Sequence, residues 1–176
     1  MAPTSSTGSI GAAQKKKRIV PEVSRILLVD ANQVSQIMGQ VVLEQHGYEC
    51  VALGDGIAAV DNIESQLRAG KPYQLILTAV DVPGRDAFDL TSEIRRIESA
   101  LGWYRTPVVV MSTDPASDME ACMDAGVDGI FPFPISMTTT LVSTIFQYPA
   151  DGQPEKEALT APGSVAIAYM IRHHSD

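Results

Sequence analysis

The sequence is poor in residues that crosslink chains or bind soft metals. It contains two cysteines and three histidines among 176 residues. Cys50 and Cys122 stand far apart in apolar surroundings, whereas a disulfide-stabilised secreted domain would carry more cysteines in a shorter chain. We therefore expect two buried, reduced thiols and an intracellular protein. His46 is expected to be exposed in the last turn of a helix, and an adjacent histidine pair near the C-terminus does not make a metal site.

Long apolar runs are also missing. No stretch approaches the roughly 18–20 residues that span a bilayer, and the first 14 residues lack the apolar core of a secretory signal. Residues 1–20 contain four basic residues and no acid, so the other 156, with nine basic and 21 acidic residues, carry a net charge of −12. This acidic body argues against nucleic-acid binding through its surface. The basic run KKKR suits either a solvated tail or a nuclear address, which leaves cytoplasm or nucleus.

Between residues 24 and 148, strand patterns alternate with helix patterns. The predicted strands are RILLV, YECVAL, QLILTAV, TPVVVMS and DGIFPF. Asp55 is predicted to cap the second helix, and a fifth helix is predicted around Met137 to Phe146. The first helix carries an apolar stripe at helical spacing, which is typical of a helix that packs on a core; its residues are Val34, Ile37, Met38, Val41, Val42 and Gln45. The strands are continuous apolar runs, so both faces of a parallel sheet should be buried. We predict an α/β fold: a doubly wound five-stranded parallel sheet of flavodoxin-like order 2-1-3-4-5, with helices on both faces.

The predicted organisation has three parts. Residues 1–22 form a flexible basic N-terminal tail, residues 23–149 form the α/β domain, and residues 150–176 form a C-terminal linker or tail. Functional groups in such folds gather where the strands end. Those ends offer Asp30, Ala79 with Asp81, Ser112 and Phe133. The chain has no glycine-rich phosphate loop. No neighbouring His or Lys could activate Ser112 as a nucleophile, so we expect Ser112 to end its strand with a local hydrogen bond.

Four segments together resemble the receiver domain of two-component response regulators, over about residues 24–148. They are ILLVDAN, QLILTAVDVPG, TPVVVMS and AGVDGIFPFP. Gly47 follows Asn32 by fifteen residues, which is the usual first-helix spacing of the family and sets the alignment of its acidic pair. Pro83 places the family's phosphoacceptor position at Ala79, and Pro134 places its lysine position at Phe133.

The resemblance implies a phosphoacceptor pocket that has lost much of its chemistry. The family needs a nucleophilic carboxylate and a divalent cation held by carboxylates. It also needs a lysine and a separate Ser or Thr hydroxyl, which together hold the phosphoryl group. Here Ala79 replaces the nucleophile, Ala31 replaces one acid of the pair and Phe133 replaces the lysine, while Asp30 and Ser112 remain. The expected degenerate pocket consists of Asp30, Ala31, Ala79, Asp81, Ser112 and Phe133. We expect no enzymatic activity, no cofactor, and Mg²⁺ binding that is lost or weak.

The leading hypothesis is a phosphorylation-independent pseudo-receiver that acts in phosphorelay signalling through protein contacts. Its partner would be a histidine kinase, a phosphotransfer protein, another receiver, or a second copy of the chain in a dimer, and no membrane is implied. Candidate interface residues, for each of which a place in the core is the simpler interpretation, are Met119, Met123, Ile130, Phe131, Pro132 and Met137. The alternatives are a receiver that accepts phosphate on Asp81 or Asp30, and a flavodoxin-like binder of small molecules.

Overall fold

Five strands and four helices alternate along the chain in the computed structural model, which describes Lys16 and residues 25–132. The strands are β1 (Arg25–Val29), β2 (Glu49–Leu53), β3 (Leu75–Ala79), β4 (Val108–Ser112) and β5 (Gly129–Pro132). The helices are α1 (Gln33–Gln45), α2 (Gly56–Arg68), α3 (Ala87–Leu101) and α4 (Pro115–Ala125). A fifth helix was predicted around Met137 to Phe146; it lies outside the described residues, as do most of the two predicted tails.

The strands form one parallel sheet in the order β2-β1-β3-β4-β5, which confirms the predicted topology. Successive side chains of each strand point to opposite faces, and both faces are buried. Leu27 and Ile76 contribute to a cluster that includes buried residues of α2 and α3. Ile26 and Leu28 contribute to the cluster on the other face, which includes Leu43 of α1.

Side-chain caps begin every described helix, and they explain why the helices start at the strand ends. Asn32, Asp55, Asp86 and Asp114 each accept a hydrogen bond from a backbone N–H group of the first turn. Such caps satisfy donors that have no partner within the helix. The cap predicted at Asp55 is thereby confirmed. In this part of the chain, no helix is long and apolar enough to cross a bilayer.

Helix α1 corrects one expectation, because four of the five apolar residues in its predicted stripe face solvent, while the fifth, Val42, is partly buried against the core. Val34, Ile37, Met38 and Val41 are 65%, 61%, 49% and 47% exposed. The helix instead buries three residues spaced by four, which are Ser35, Gly39 and Leu43.

The physical reason is the close approach of α1 to the sheet. Gly39 has no side chain, and a Cβ atom at this position would collide with the side chain of Leu28. The small residues Ser35 and Gly39 therefore let α1 lie directly on β1 and β2, and Val34, Ile37, Met38 and Val41 are left on the outer face. The helical period was predicted correctly and the buried face was predicted wrongly.

Candidate functional site

A small cleft lies at the carboxyl ends of the strands, where β1, β3 and β4 end side by side. It has a volume of about 160 Å³. Its lining residues are Asp30, Asn32, Ser35, Ala79, Val80, Asp81, Met111 and Thr113. The structure thus brings together three of the residues singled out in the sequence, namely Asp30, Ala79 and Asp81. The other five lining residues were not predicted as site residues, because hydrophobic patterns do not show which side chains turn toward a cleft; they are Asn32, Ser35, Val80, Met111 and Thr113.

Asp30 is held rigidly at the end of β1 and is only 7% exposed. Its carboxylate accepts a hydrogen bond from the backbone N–H of Asn32, with an N–O distance of 2.8 Å. Its carbonyl oxygen accepts from the side-chain amide of Gln36, 2.6 Å away. Asn32 in turn caps α1 by accepting from the backbone N–H groups of Val34 and Ser35. The neighbouring Ala31 is exposed and brings only a methyl group to this turn.

Ala79 is the last residue of β3 and forms part of the cleft wall. Its methyl group packs against both apolar clusters of the domain, so the position is continuous with the core. Asp81 follows two residues later and is exposed. A carboxylate at this loop position is well solvated, in contrast to the buried Asp30.

The loop after β3 is fastened to the start of α2. The backbone N–H of Gly56 donates to the carbonyl oxygen of Pro83 at 2.8 Å. Gly84 has a φ of 80° and passes so close to the cap residue Asp55 that a Cβ atom there would lie 2.8 Å from its carboxylate. Glycine is needed here both for the backbone conformation and for the close approach. The loop that carries Asp81 is therefore positioned by packing against a second helix.

Ser112 ends β4 and is 1% exposed. Its hydroxyl donates to a carboxylate oxygen of Asp118 at 2.5 Å and accepts from the backbone N–H of Asp114 at 2.9 Å. This confirms the predicted local hydrogen bond at the strand end. Ser112 is not among the cleft-lining residues, although its neighbours Met111 and Thr113 are. Asp118 was missed in the sequence; its place in the first turn of a helix that follows β4 directly was the available signal.

The candidate interface residues do not form one exposed surface. Ile130 and Phe131 are 3% and 2% exposed and belong to clusters on opposite faces of the sheet. They are core residues, because successive residues of a strand alternate between two buried faces. Met123 is exposed and Met119 is partly buried on α4. Phe133, Met137 and the side chain of Pro132 lie outside the described residues.

The acidic side chains that line the cleft are those of Asp30 and Asp81. Between residues 25 and 132, no three His, Cys, Asp or Glu side chains are grouped to hold a metal ion. Ala79, which also lines the cleft, offers no side-chain oxygen, the kind of ligand that Mg²⁺ prefers.

Both cysteines are buried free thiols, as predicted. Burial, reinforced by the nearby charge of Glu44, raises the pKa of Cys50 from 9.0 to about 12. Burial together with the charge of Asp118 raises the pKa of Cys122 to about 11. Since the thiolate is the reactive form, neither residue is suited to nucleophilic chemistry at neutral pH.

The fold and the cleft are those of a signalling family. The family model for the response regulator receiver domain matches residues 26–145, and the chain belongs to this family. Among curated proteins, it is 27% identical over 125 residues to the sensor histidine kinase GacS of Pseudomonas protegens, covering 70% of this chain and 13% of that protein. It is 29% identical over 150 residues to Histidine kinase 1 of Arabidopsis thaliana, covering 69% of this chain and 12% of that protein. The chain thus matches about an eighth of the length of these kinases.

Solved structures agree with this assignment. The receiver domain of the sensor histidine kinase PA1611 from Pseudomonas aeruginosa is 27% identical, with a TM-score of 0.61 and coverage of 72% of this chain and 97% of that one. That domain was crystallised with a magnesium ion coordinated in its active-site cleft. The chemotaxis protein CheY4 of Vibrio cholerae is 20% identical and shares the fold, with a TM-score of 0.61. The match covers 72% of this chain and 98% of that one.

Proposed function

We propose that this receiver domain acts in two-component phosphorelay signalling as a pseudo-receiver, through protein contacts and without accepting a phosphoryl group. One observation carries the proposal: Ala79 ends β3 at the wall of the cleft, where the family places its phosphoaccepting aspartate. A methyl group cannot attack a phosphohistidine, because covalent phosphoryl transfer requires a nucleophile.

Ser112 supports the same conclusion. In the family, the hydroxyl at this position binds the phosphoryl group. Here it is buried, donates to Asp118 and accepts from Asp114. A phosphoryl group would have to displace the bond to a charged acceptor, which is among the stronger side-chain hydrogen bonds.

The expected loss or weakening of Mg²⁺ binding follows from the donor set. The magnesium ion in the related PA1611 domain belongs to that protein. In this chain, alanine occupies positions 31 and 79, and two carboxylates of unequal exposure line the cleft. Asp30 already accepts a backbone hydrogen bond, so its carboxylate is partly committed. We infer that catalysis is absent, because neither a nucleophile nor a suitable metal site is retained.

The partner class follows from the relatives. Matches named as histidine kinases indicate that receivers of this sequence type belong to phosphorelays. We infer that the domain contacts a histidine kinase, a phosphotransfer protein or another receiver inside the cell. The flavodoxin-like alternative gains no support, since a cleft of about 160 Å³ is smaller than the roughly 300–1,000 Å³ of typical ligand pockets.

The proposal is tested by incubating the chain with a small-molecule phosphodonor and Mg²⁺ and measuring its intact mass. A receiver with an intact acceptor serves as the positive control. We expect no phosphoryl adduct on this chain. An adduct that disappears in Asp81→Asn or Asp30→Asn would establish a non-standard acceptor instead.

The variant Ala79→Asp separates the missing nucleophile from the other missing groups. We expect it to remain unphosphorylated under the same conditions, because Ala31 and Phe133 still stand where the family has a carboxylate and a lysine. Efficient phosphorylation of Ala79→Asp would show that the pocket lacks the nucleophile alone.

A further inference from the structure

The carboxylate of Asp30 is buried at the cleft with no cation beside it. Asp30 is 7% exposed and lines the cleft. One of its side-chain oxygens accepts from the backbone N–H of Asn32 at 2.8 Å. Within residues 25–132, the other oxygen has no hydrogen bond or ion pair. Because a buried carboxylate is costly unless it is paired, this free oxygen marks a place where a positively charged group is favoured.

The rest of the cleft suits an aliphatic chain with one charged end. Ala79, Val80 and Met111 contribute apolar surface, and Asp81 adds a second carboxylate. None of the described lining residues is basic, so none of them competes for Asp30. The volume of about 160 Å³ holds roughly five groups of the size of a water molecule, at roughly 30 Å³ each. A lysine side chain has four methylene groups and one ammonium group, so it matches this space in size, apolar length and charge.

The single free oxygen also selects among cations. A guanidinium group pairs best with a carboxylate that offers both oxygens, whereas one oxygen of Asp30 is already bound by Asn32. An ammonium group is a compact point charge that can donate to one strong acceptor. A magnesium ion prefers several oxygen ligands in octahedral geometry, and the described walls of the cleft supply two carboxylates. The geometry therefore favours lysine over arginine and over Mg²⁺.

We propose that the cleft binds a lysine side chain presented by a protein partner, with the ammonium group paired to Asp30 and the methylene groups against Ala79 and Met111. This inference rests on the proposed function, in which the domain acts through protein contacts. From residue 21 onward the chain has nine basic and 21 acidic residues, a net charge of −12. So acidic a body attracts a basic segment of a partner, and the exposed carboxylate of Asp81 adds to the attraction at the cleft itself.

The test uses the lysine side chain alone as the probe. n-Butylammonium chloride is titrated into the ¹⁵N-labelled full chain at constant ionic strength, and the backbone amide shifts are followed by NMR. We expect saturable shifts at Asn32, Ala79 and Thr113, with a dissociation constant on the order of a few mM, because so small a ligand binds weakly. Tetramethylammonium carries the same charge without an N–H donor and should not saturate. Equal binding of the two ions would reflect general electrostatic attraction and overturns the proposal, as does the absence of binding.

Three variants locate the site. Asp30→Asn removes the charge, keeps an acceptor for the Asn32 N–H and should weaken binding at least tenfold. Asp81→Asn should weaken it about twofold, because an exposed carboxylate is well solvated. Asp124→Asn is the matched control: it removes an exposed acid that does not line the cleft, and binding should be unchanged. Equal weakening by all three variants would contradict a site at Asp30. Folding is checked by circular dichroism, and where Asp30→Asn does not fold, the comparison of the two ammonium ions on the parent chain decides.

Further probes identify the occupant. A lysine with acetylated N-terminus and methylamide C-terminus should bind as tightly as n-butylammonium; failure of this compound to bind would assign the cleft to a small amine and overturn the partner lysine. Mg²⁺ that binds more tightly than the ammonium ion and depends on Asp30 would make the cleft a metal site instead. A tenfold gain in ammonium affinity on deleting residues 1–20 would assign the cleft to the chain's own lysines. The titration contains no phosphodonor, so its failure without any phosphoryl adduct overturns this inference and leaves the proposed function standing.

Discussion

The hydrogen bond between Ser112 and Asp118 links the end of β4 to the first turn of α4, and its removal should weaken the domain measurably. The bond is short, at 2.5 Å, and Ser112 is 1% exposed. The same hydroxyl accepts from the backbone N–H of Asp114, the cap residue of α4. One side chain therefore joins strand, cap and helix.

The expected magnitude follows from these contacts. A hydrogen bond to a charged group contributes about 1.5–3 kcal/mol, and Ser112→Ala removes one such bond while leaving the partly exposed Asp114 N–H to water. We expect Ser112→Ala to lower the free energy of unfolding by about 2 kcal/mol. Asp118→Ala should cost a similar amount, because it leaves a buried hydroxyl without its acceptor and removes an acid from a helix N-terminus.

A double-mutant cycle isolates the bond itself. Urea unfolding of the parent, both single variants and the double variant should give a coupling energy of about 1–2 kcal/mol. Asp124→Ala is the matched control, since Asp124 is exposed near the C-terminal end of the same helix, and it should not destabilise the domain. Additive single-variant effects, with coupling near zero, would refute the assignment of the Ser112 hydroxyl to Asp118.

Two further predictions concern buried groups away from the cleft. Glu98 is 3% exposed and accepts from Arg95 and from the backbone N–H of Thr106, so Glu98→Ala should lower the free energy of unfolding by about 3 kcal/mol. Glu93→Ala in the same helix breaks a surface ion pair with Arg96, and it should leave the free energy of unfolding unchanged in the same urea titration. Equal losses for Glu98→Ala and Glu93→Ala would contradict the structure. The two thiols should react with a disulfide reagent at pH 8 about 100-fold more slowly in the folded than in the unfolded chain, since burial raises the lower of their pKa values to about 11. Because the pKa values of both thiols in the folded chain lie above the ordinary 9.0, the stability contributed by burying the neutral thiols is complete below pH 9 and is lost as the pH rises toward 11–12. Urea unfolding measured across that pH range checks this prediction, and a free energy of unfolding that increases with pH there would contradict it.

The topology was predictable because the strands are nearly uniform apolar runs. In a sheet covered on both faces, most strand residues are buried, so RILLV and TPVVVMS could be assigned without knowing which side each residue faces. The cap at Asp55 was predictable for a local reason, since a short carboxylate before a helix satisfies backbone donors of its first turn. The residues of the cleft that end strands, Asp30 and Ala79, followed from the same strand assignments.

Other features depend on which surfaces meet. The stripe on α1 was expected to pack on the core, but Gly39 and Ser35 allow a closer approach and take that place. Ile130 and Phe131 were considered for an interface, but alternation along β5 directs them into opposite halves of the core. Asp118 as the acceptor for Ser112 required the position of α4 relative to β4.

The sequence by itself determined the order of strands and helices and the parallel sheet, because these depend on local pattern and on residue type. Tertiary structure alone decided that Ser112 is held by Asp118, that the loop after β3 rests on α2, and that α1 turns most of its apolar stripe outward. Such features depend on the distance between elements, and that distance is set by the size of the side chains on both sides of each contact.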